Sequence, residues 1–343
     1  MPTTYAIPDG RTVMAATTYT GTGATQTISN SANGVSFQPD LVWVKGRSGA
    51  TDHAWYDAVR GVQKQLESNT TTAETTETTG LTAFGTTGFT IGALAQMNTS
   101  AATYVGWQWN AGGTTVTNTS GSISAQVRAN PTAGFSVVAY TGTGSAATVG
   151  HGLGVAPSMI IWKGRNYAID WAVHHTSIGA GSKVYLNLTN ASAADTTYMN
   201  NTAPTSSVFS IAASSWTNNS SAATYVAYCF AAVAGYSAFG KYTGNGSNDG
   251  PFIYLGFRPR FVLIKSSTGA ENWWLLDSAR SANNVASLYL HPNTTNADQS
   301  FATMDFLSNG FKLRYNGAAV NANGATLIYA AFAENPFKYA NAR

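Results

Sequence analysis

Cysteine is almost missing from this chain: Cys229 is the only one in 343 residues. A disulfide framework and a CxxC metal or redox site are thereby excluded, and Cys229 reads as a small packed residue. Charge is scarce too. Asp, Glu, Lys and Arg make up 10% of the sequence, against about 25% in an average soluble domain, and Thr, Ser, Asn, Ala and Gly fill the deficit. The net charge is +3 and the Lys and Arg residues are scattered, so no basic stripe marks a nucleic-acid or anionic-membrane partner. No run of about 18 apolar residues occurs, which excludes membrane insertion by a helix. The stretch from Met1 to Arg11 lacks the basic and then apolar segments of a secretion signal. No sustained a/d heptad is present, so a coiled coil is not expected.

The residues that could carry chemistry are thin. Between Glu77 and Asp249 only Asp170 and Asp195 are acidic, which leaves little for a two-carboxylate glycosidase. His53, His151, His174, His175 and His291 are scattered, and the adjacent His174 and His175 would point to opposite faces of a strand. No Ser/His/Asp constellation has a nucleophile-elbow context. No catalytic, metal or cofactor residues are assigned, and the chain is expected not to be an enzyme. The nine tryptophans read as core, with a sugar-stacking platform as the alternative.

What is present is repetition, the feature to read first. Pro39 to Lys45, Pro157 to Lys163 and Pro259 to Lys265 each hold proline, one polar residue, four apolar residues and lysine. Proline is tolerated at the start of a strand, and four apolar residues without alternation argue a strand covered on both faces. Upstream, Tyr19-Thr20-Gly21-Thr22-Gly23 returns at Tyr140 and at Tyr242 and reads as a strand end with a turn; a phosphate loop would need a third glycine and a following helix. Downstream, His53 to Arg60 matches Trp171 to Ile178 and Trp273 to Arg280. In that register Asp57 and Asp277 face His175, and Arg60 and Arg280 face Ile178, exchanges that no shared reaction would survive.

A polar middle section opens at Leu66, Leu186 and Leu288. Each copy closes on Thr103 to Trp109, Thr224 to Phe230 or Thr326 to Phe332. Val105, Trp107 and Trp109, Tyr228 and Phe230, and Phe332 lie on the face expected to be each copy's core. The opposite face, with Tyr104, Gly106 and Gln108, is mixed and suits a contact between copies or subunits. The expected fold is all-β: three tandem antiparallel β-sandwich, jelly-roll-like repeats of about 100 residues each. The expected division is an arm at 1–16, repeats at 17–113, 135–234 and 236–337, a linker at 114–134, and a tail at 338–343.

The quoted segments resemble the tandem-repeat β domain of tailed-bacteriophage tail and fibre proteins. The carriers include Pro39-Asp40-Leu41-Val42-Trp43-Val44-Lys45, Tyr56-Asp57-Ala58-Val59-Arg60, Tyr104-Val105-Gly106-Trp107-Gln108-Trp109, Gly150-His151-Gly152-Leu153-Gly154, Ala223-Thr224-Tyr225-Val226-Ala227-Tyr228, Gly256-Phe257-Arg258-Pro259-Arg260-Phe261 and the stretch from Ala333 to Arg343. The resemblance runs from about residue 17 to the end. It implies a virion structural protein of the tail, made in the host cytoplasm, and carries no catalytic or metal residues. A particle released by lysis also reconciles a hydroxyl-rich surface with the missing export signal. Expected partners are other copies of the chain, first as a trimer, other tail proteins and a host cell-surface glycan; a glycan-binding adhesin is the alternative function.

Overall fold

Each repeated proline introduces a strand: Leu41–Gly46, Met159–Gly164 and Arg258–Ser266, the proline strands. Pro39 and Pro157 stand just before theirs, whereas Pro259 lies within its strand between two register shifts, the setting in which a sheet tolerates a missing N–H. On one side each proline strand pairs with a closing strand, Thr103–Trp109, Thr224–Phe230 or Thr326–Asn335. The closing strand pairs in turn with an opening strand, Met14–Thr20, Phe135–Thr141 or Ser237–Thr243. On its other side the proline strand pairs with an aromatic strand, Ala54–Asp57, Ala172–His175 or Trp274–Asp277. All these pairings are antiparallel. The computed structural model describes residues 5–32, 34–218 and 222–335. Among them the helices are a 3-10 turn at Gly10–Thr12 and four-residue turns at Ala95–Asn98 and Ala318–Asn321. The protein is all-β.

The proline strands are buried on both faces, and the two faces meet different partners. Val42 and Val44, with Tyr56 and Tyr104, pack against Ile28, Leu81, Phe89 and Ile91 from a second sheet, which makes a sandwich interior. Ile160, Trp162 and Tyr225 meet Val149, Phe209 and Ile211 in the same way. In the third set Gln299–Leu307 is long enough to pair with both Ala286–Leu290 and Gly310–Leu313, so the two layers join into one eight-stranded sheet. Gly88 permits the close approach of two paired strands within the second sheet of the first set: its φ is +144°, and a Cβ there would press on the Ile28 carbonyl of the neighbouring strand.

The other face of every proline strand points to a common centre. Leu41, Trp43, Trp107 and Trp109 meet Met159, Ile161, Tyr228 and Phe230, and both groups meet Phe261, Leu263 and Phe332 in one hydrophobic cluster. Trp109 touches Phe230 at 6.2 Å, Phe261 at 5.4 Å and Phe332 at 5.6 Å between ring centroids. A gap of about 10 Å³ at this centre is lined by apolar side chains and lacks the polar partners that a buried water needs.

This arrangement corrects the reading of the closing strands. Val105, Trp107 and Trp109 face the shared centre, not a private core, while Tyr104 faces the sandwich interior and Gln108 is fully buried. Period 2 separates the faces of a strand but does not say what each one meets. Residues 114–134, expected as a flexible or partly stranded linker, carry the strands Val116–Asn118 and Ala125–Asn130, which extend the second sheet beyond its opening strand. Residues 1–16 do not form a detached arm as far as they are described. Ile7, Val13 and Met14 are buried in the shared cluster, and Gly10 lies against the Ala333 carbonyl. The tail at 338–343 lies outside the described residues.

Candidate functional site: a cyclic set of contacts around the shared centre

The lysine that ends each proline strand is fully buried. Lys45 Nζ donates to the Thr295 carbonyl at 3.1 Å and to Gly46. Lys163 donates to Thr71 at 2.8 Å and Ile169 at 2.6 Å, and Lys265 to Thr189 at 2.9 Å and Glu271 at 2.8 Å. Each lysine therefore ties its own strand set to the one before it, the first tying to the third. The ring at the start of the next segment repeats this. His53, Trp171 and Trp273 reach the backbone carbonyls of His291, Glu67 and Tyr185 at 3.0, 2.8 and 2.7 Å. His53 Nδ1 accepts from Trp43 Nε1, which leaves Nε2 as the donor.

A third layer points the other way round the cycle. Asp57 Oδ2 accepts from Tyr228 OH at 2.8 Å, and Asp277 Oδ2 accepts from Trp107 Nε1 at 3.0 Å. The residue equivalent to Tyr228 and Trp107 in the third set is Ala330, which has no donor to offer. His175 stands there in place of aspartate: its Nδ1 accepts from Ser177 N, and its Nε2 donates past Ala330 to the Tyr329 carbonyl at 3.1 Å. With no carboxylate at 175, no guanidinium is needed at 178, and Ile178 replaces Arg60 and Arg280. The substitutions that break the sequence repeat are thus coupled to one another.

The arginines carry charge outward at two of the three junctions. Arg60 joins Asp57 to Glu74, which also binds Arg165 of the second set at 2.9 Å. Arg280 joins Asp277 to Asp298, which binds Arg47 of the first set at 2.7 Å. At the remaining junction Ser192 and Ser267 meet by a backbone bond.

Burial pushes Lys163 down to about 7 and Lys45 and Lys265 to about 8, from an ordinary 10.5. A neutral Lys163 amine still has two N–H groups for its two carbonyls. Its folded pKa is depressed, so its contribution is fully present only above pH 10.5 and is lost as pH falls toward 7. Lys163→Met is expected to flatten the rise in stability with pH between about 7 and 10, read as melting temperature against pH. An unchanged slope would show that Lys163 does not titrate in that range. Burial also pushes the His175 imidazole down to about 4, as befits a ring held as a neutral donor.

The other repeated residues serve the same framework. Tyr19, Tyr140 and Tyr242 donate to the carbonyls of Met97, Thr217 and Val320. Pro39, Pro157 and Pro259 introduce the central strands. Sequence reasoning missed Asn98, Asn218 and Asn321, whose Oδ1 atoms accept from the backbone N–H of Thr22, Thr143 and Asn245. Those bonds occupy the glycine turns. It also missed Asn69, Asn187 and Asn293, which cap the His53, Trp171 and Trp273 backbones. They align the middle sections two residues away from the leucine register, because leucine recurs there and asparagine is common throughout.

His151 and His291 are likewise engaged with backbone, at Thr205 O and Trp273 O. Among the described residues no three His, Cys, Asp or Glu gather in a way that could hold a metal ion. Eight tryptophans are buried and Trp216 is half-buried under Lys183, whose Nζ is 3.5 Å from the ring centroid. No helix among the described residues is long and apolar enough to cross a membrane.

Residues 10–336 match the model of a family described as a domain of unknown function, DUF7483. The chain belongs to this family. The matched residues include every contact described in the cycle. No curated protein matches the chain. The family's description gives no function, and neither comparison speaks to the likeness to phage tail proteins.

Proposed function

We propose that this protein is a structural component of a tailed-phage virion, part of the fibre, baseplate or collar, and that it acts as a homo-oligomer held to other tail proteins. The observation that carries the reading is the use made of its ionisable and aromatic groups. Asp57, Asp277, His175 and the three strand-end lysines all serve buried contacts that lock the strand sets together, which is the work of a scaffold. The sequence likeness to tail and fibre proteins and the weakly charged surface support the same reading. Light scattering on the purified chain and imaging of phage particles carrying a labelled copy test it. The expected result is an oligomer, first as a trimer, with label at the tail; a strict monomer at high concentration, or label elsewhere, overturns it.

One observation favours the second reading, a glycan-binding adhesin. Phe301 is 49% exposed and packs on Tyr315 at 4.3 Å, beside the stacked pair Trp274 and Tyr289 at 3.9 Å. Such an aromatic ridge suits the apolar face of a sugar. On a glycan array, binding that Phe301→Ala abolishes would support this role, and silence of the intact protein would leave the structural role alone.

A further inference from the structure

The outer side of the opening strand is treated differently in the three strand sets: it is a sheet edge in the first and third and is covered in the second. In the second set the chain covers it: Ala125–Asn130 pairs antiparallel along it, with Arg128 opposite Val137. Arg128 then crosses to Asp40 of the first set at 2.5 Å. In the third set Phe239 stands at the position of Val137, and its ring packs on His175, Phe230 and Phe332 at 6.4, 6.4 and 5.8 Å. In the first set that position is Ala16, and the counterpart of Asp40 is Arg260, each following its proline. Between Ala16 and Arg260 lies an open depression of about 210 Å³, lined also by Arg11, Thr18, Asn30 and Ala279.

The backbone here is arranged for pairing. Val13 O accepts from Asn110 N, and Gly21 N donates to Ala102 O. With the register between them, the alternation of an antiparallel ladder turns the N–H and C=O groups of Met14, Ala16 and Thr18 away from the closing strand. Phe135, Val137 and Ala139 hold the same positions in the second set, where they face Ala125–Asn130. The charge is inverted relative to that filled groove. Among the described residues Arg260 Nε is buried without a hydrogen-bond partner, and its guanidinium lies 3.6 Å from Glu334. Glu334 also binds Arg258, and Arg11 is held by Asp9, so among the described residues cations are in excess here.

We propose that this depression docks an extended segment of a different polypeptide. The segment pairs antiparallel with Met14–Thr18 and sets a carboxylate side chain, opposite Ala16, against Arg260. The strand Ala125–Asn130 is the internal template for the backbone geometry, and Arg260 in place of Asp40 specifies the opposite charge on the guest. This inference does not rest on the virion reading.

The probe is a fluorescein-labelled peptide copying Ala125–Asn130 with glutamate in place of Arg128, titrated with the full-length chain and read by polarisation. Saturable binding is expected, at least about tenfold tighter than for the peptide that keeps arginine. Arg260→Glu should reverse that preference. Thr18→Pro, which removes an outward N–H at the exposed end of the strand, should weaken both peptides. Should Arg260→Glu fail to fold, Thr18→Pro and a peptide methylated on its backbone nitrogens carry the test. Absent binding, equal binding of the two peptides to the wild-type chain, or indifference to the variants overturns the proposal. Self-association of the chain that Arg260→Glu abolishes would assign the groove to a second copy and overturn the choice of a different polypeptide.

Discussion

Asp57→Ala is expected to lower stability by about 3–5 kcal/mol, the usual cost of leaving one partner of a buried ion pair alone. The Arg60 and Asp57 side chains are both fully buried. Removing the carboxylate takes the main anion from the guanidinium, the acceptor from Tyr228 OH, and the acceptor from the backbone N–H groups of Val59 and Arg60. Glu74 and the Trp55 and Lys64 carbonyls still hold Arg60, so the fold should survive in weakened form. Asp57→Asn should cost less, because an amide oxygen can keep one set of acceptor bonds. The converse change discriminates further. His175→Asp puts a carboxylate opposite Ala330 and Ile178, with neither donor nor guanidinium, and should destabilise; adding Ile178→Arg should recover part of the loss. Urea unfolding midpoints measure all four variants, and a neutral His175→Asp would show that the exchanges are independent.

The second large effect lies at the shared centre. Trp109 is 2% exposed, and its ring meets aromatic side chains from both of the other strand sets. Trp109→Ala should cost about 3–5 kcal/mol, a large share of the roughly 5–15 kcal/mol that holds a typical protein folded. Its indole N–H has no partner among the described residues, so Trp109→Phe gives up area but no hydrogen bond and should be milder. Because one side chain packs against all three sets, the loss should appear in every part of the molecule at once.

Much of this was legible in the residues themselves. The apolar run Leu41 to Val44 announced a strand buried on both faces, and the spacing from Pro39, Pro157 and Pro259 to their lysines placed three such strands. The mismatch of Asp57 and Asp277 with His175 was also visible. Its meaning was not, because the compensating residue, Ala330, lies 155 positions away in the sequence and only the cyclic packing brings it near. For the same reason the burial of the three lysines was not legible. A buried lysine is recognised by carbonyls contributed from elsewhere in the chain, which local pattern does not encode. The strand Ala125–Asn130 falls in the segment read as a flexible or partly stranded linker: Ala125, Val127 and Ala129 alternate with Gln126, Arg128 and Asn130, but Gly, Ser and Asn surround them. That arginine is retained by Asp40, again a distant partner.

The central claim is that the strand sets fold around one core and depend on one another for stability. Differential scanning calorimetry of the full chain, with Trp109→Ala beside it, tests this most directly. The account predicts a single transition, with the calorimetric and van't Hoff enthalpies agreeing, and a shift of that whole transition to lower temperature in the variant. Two or three separable transitions, with Trp109→Ala moving one and leaving the others in place, would contradict it.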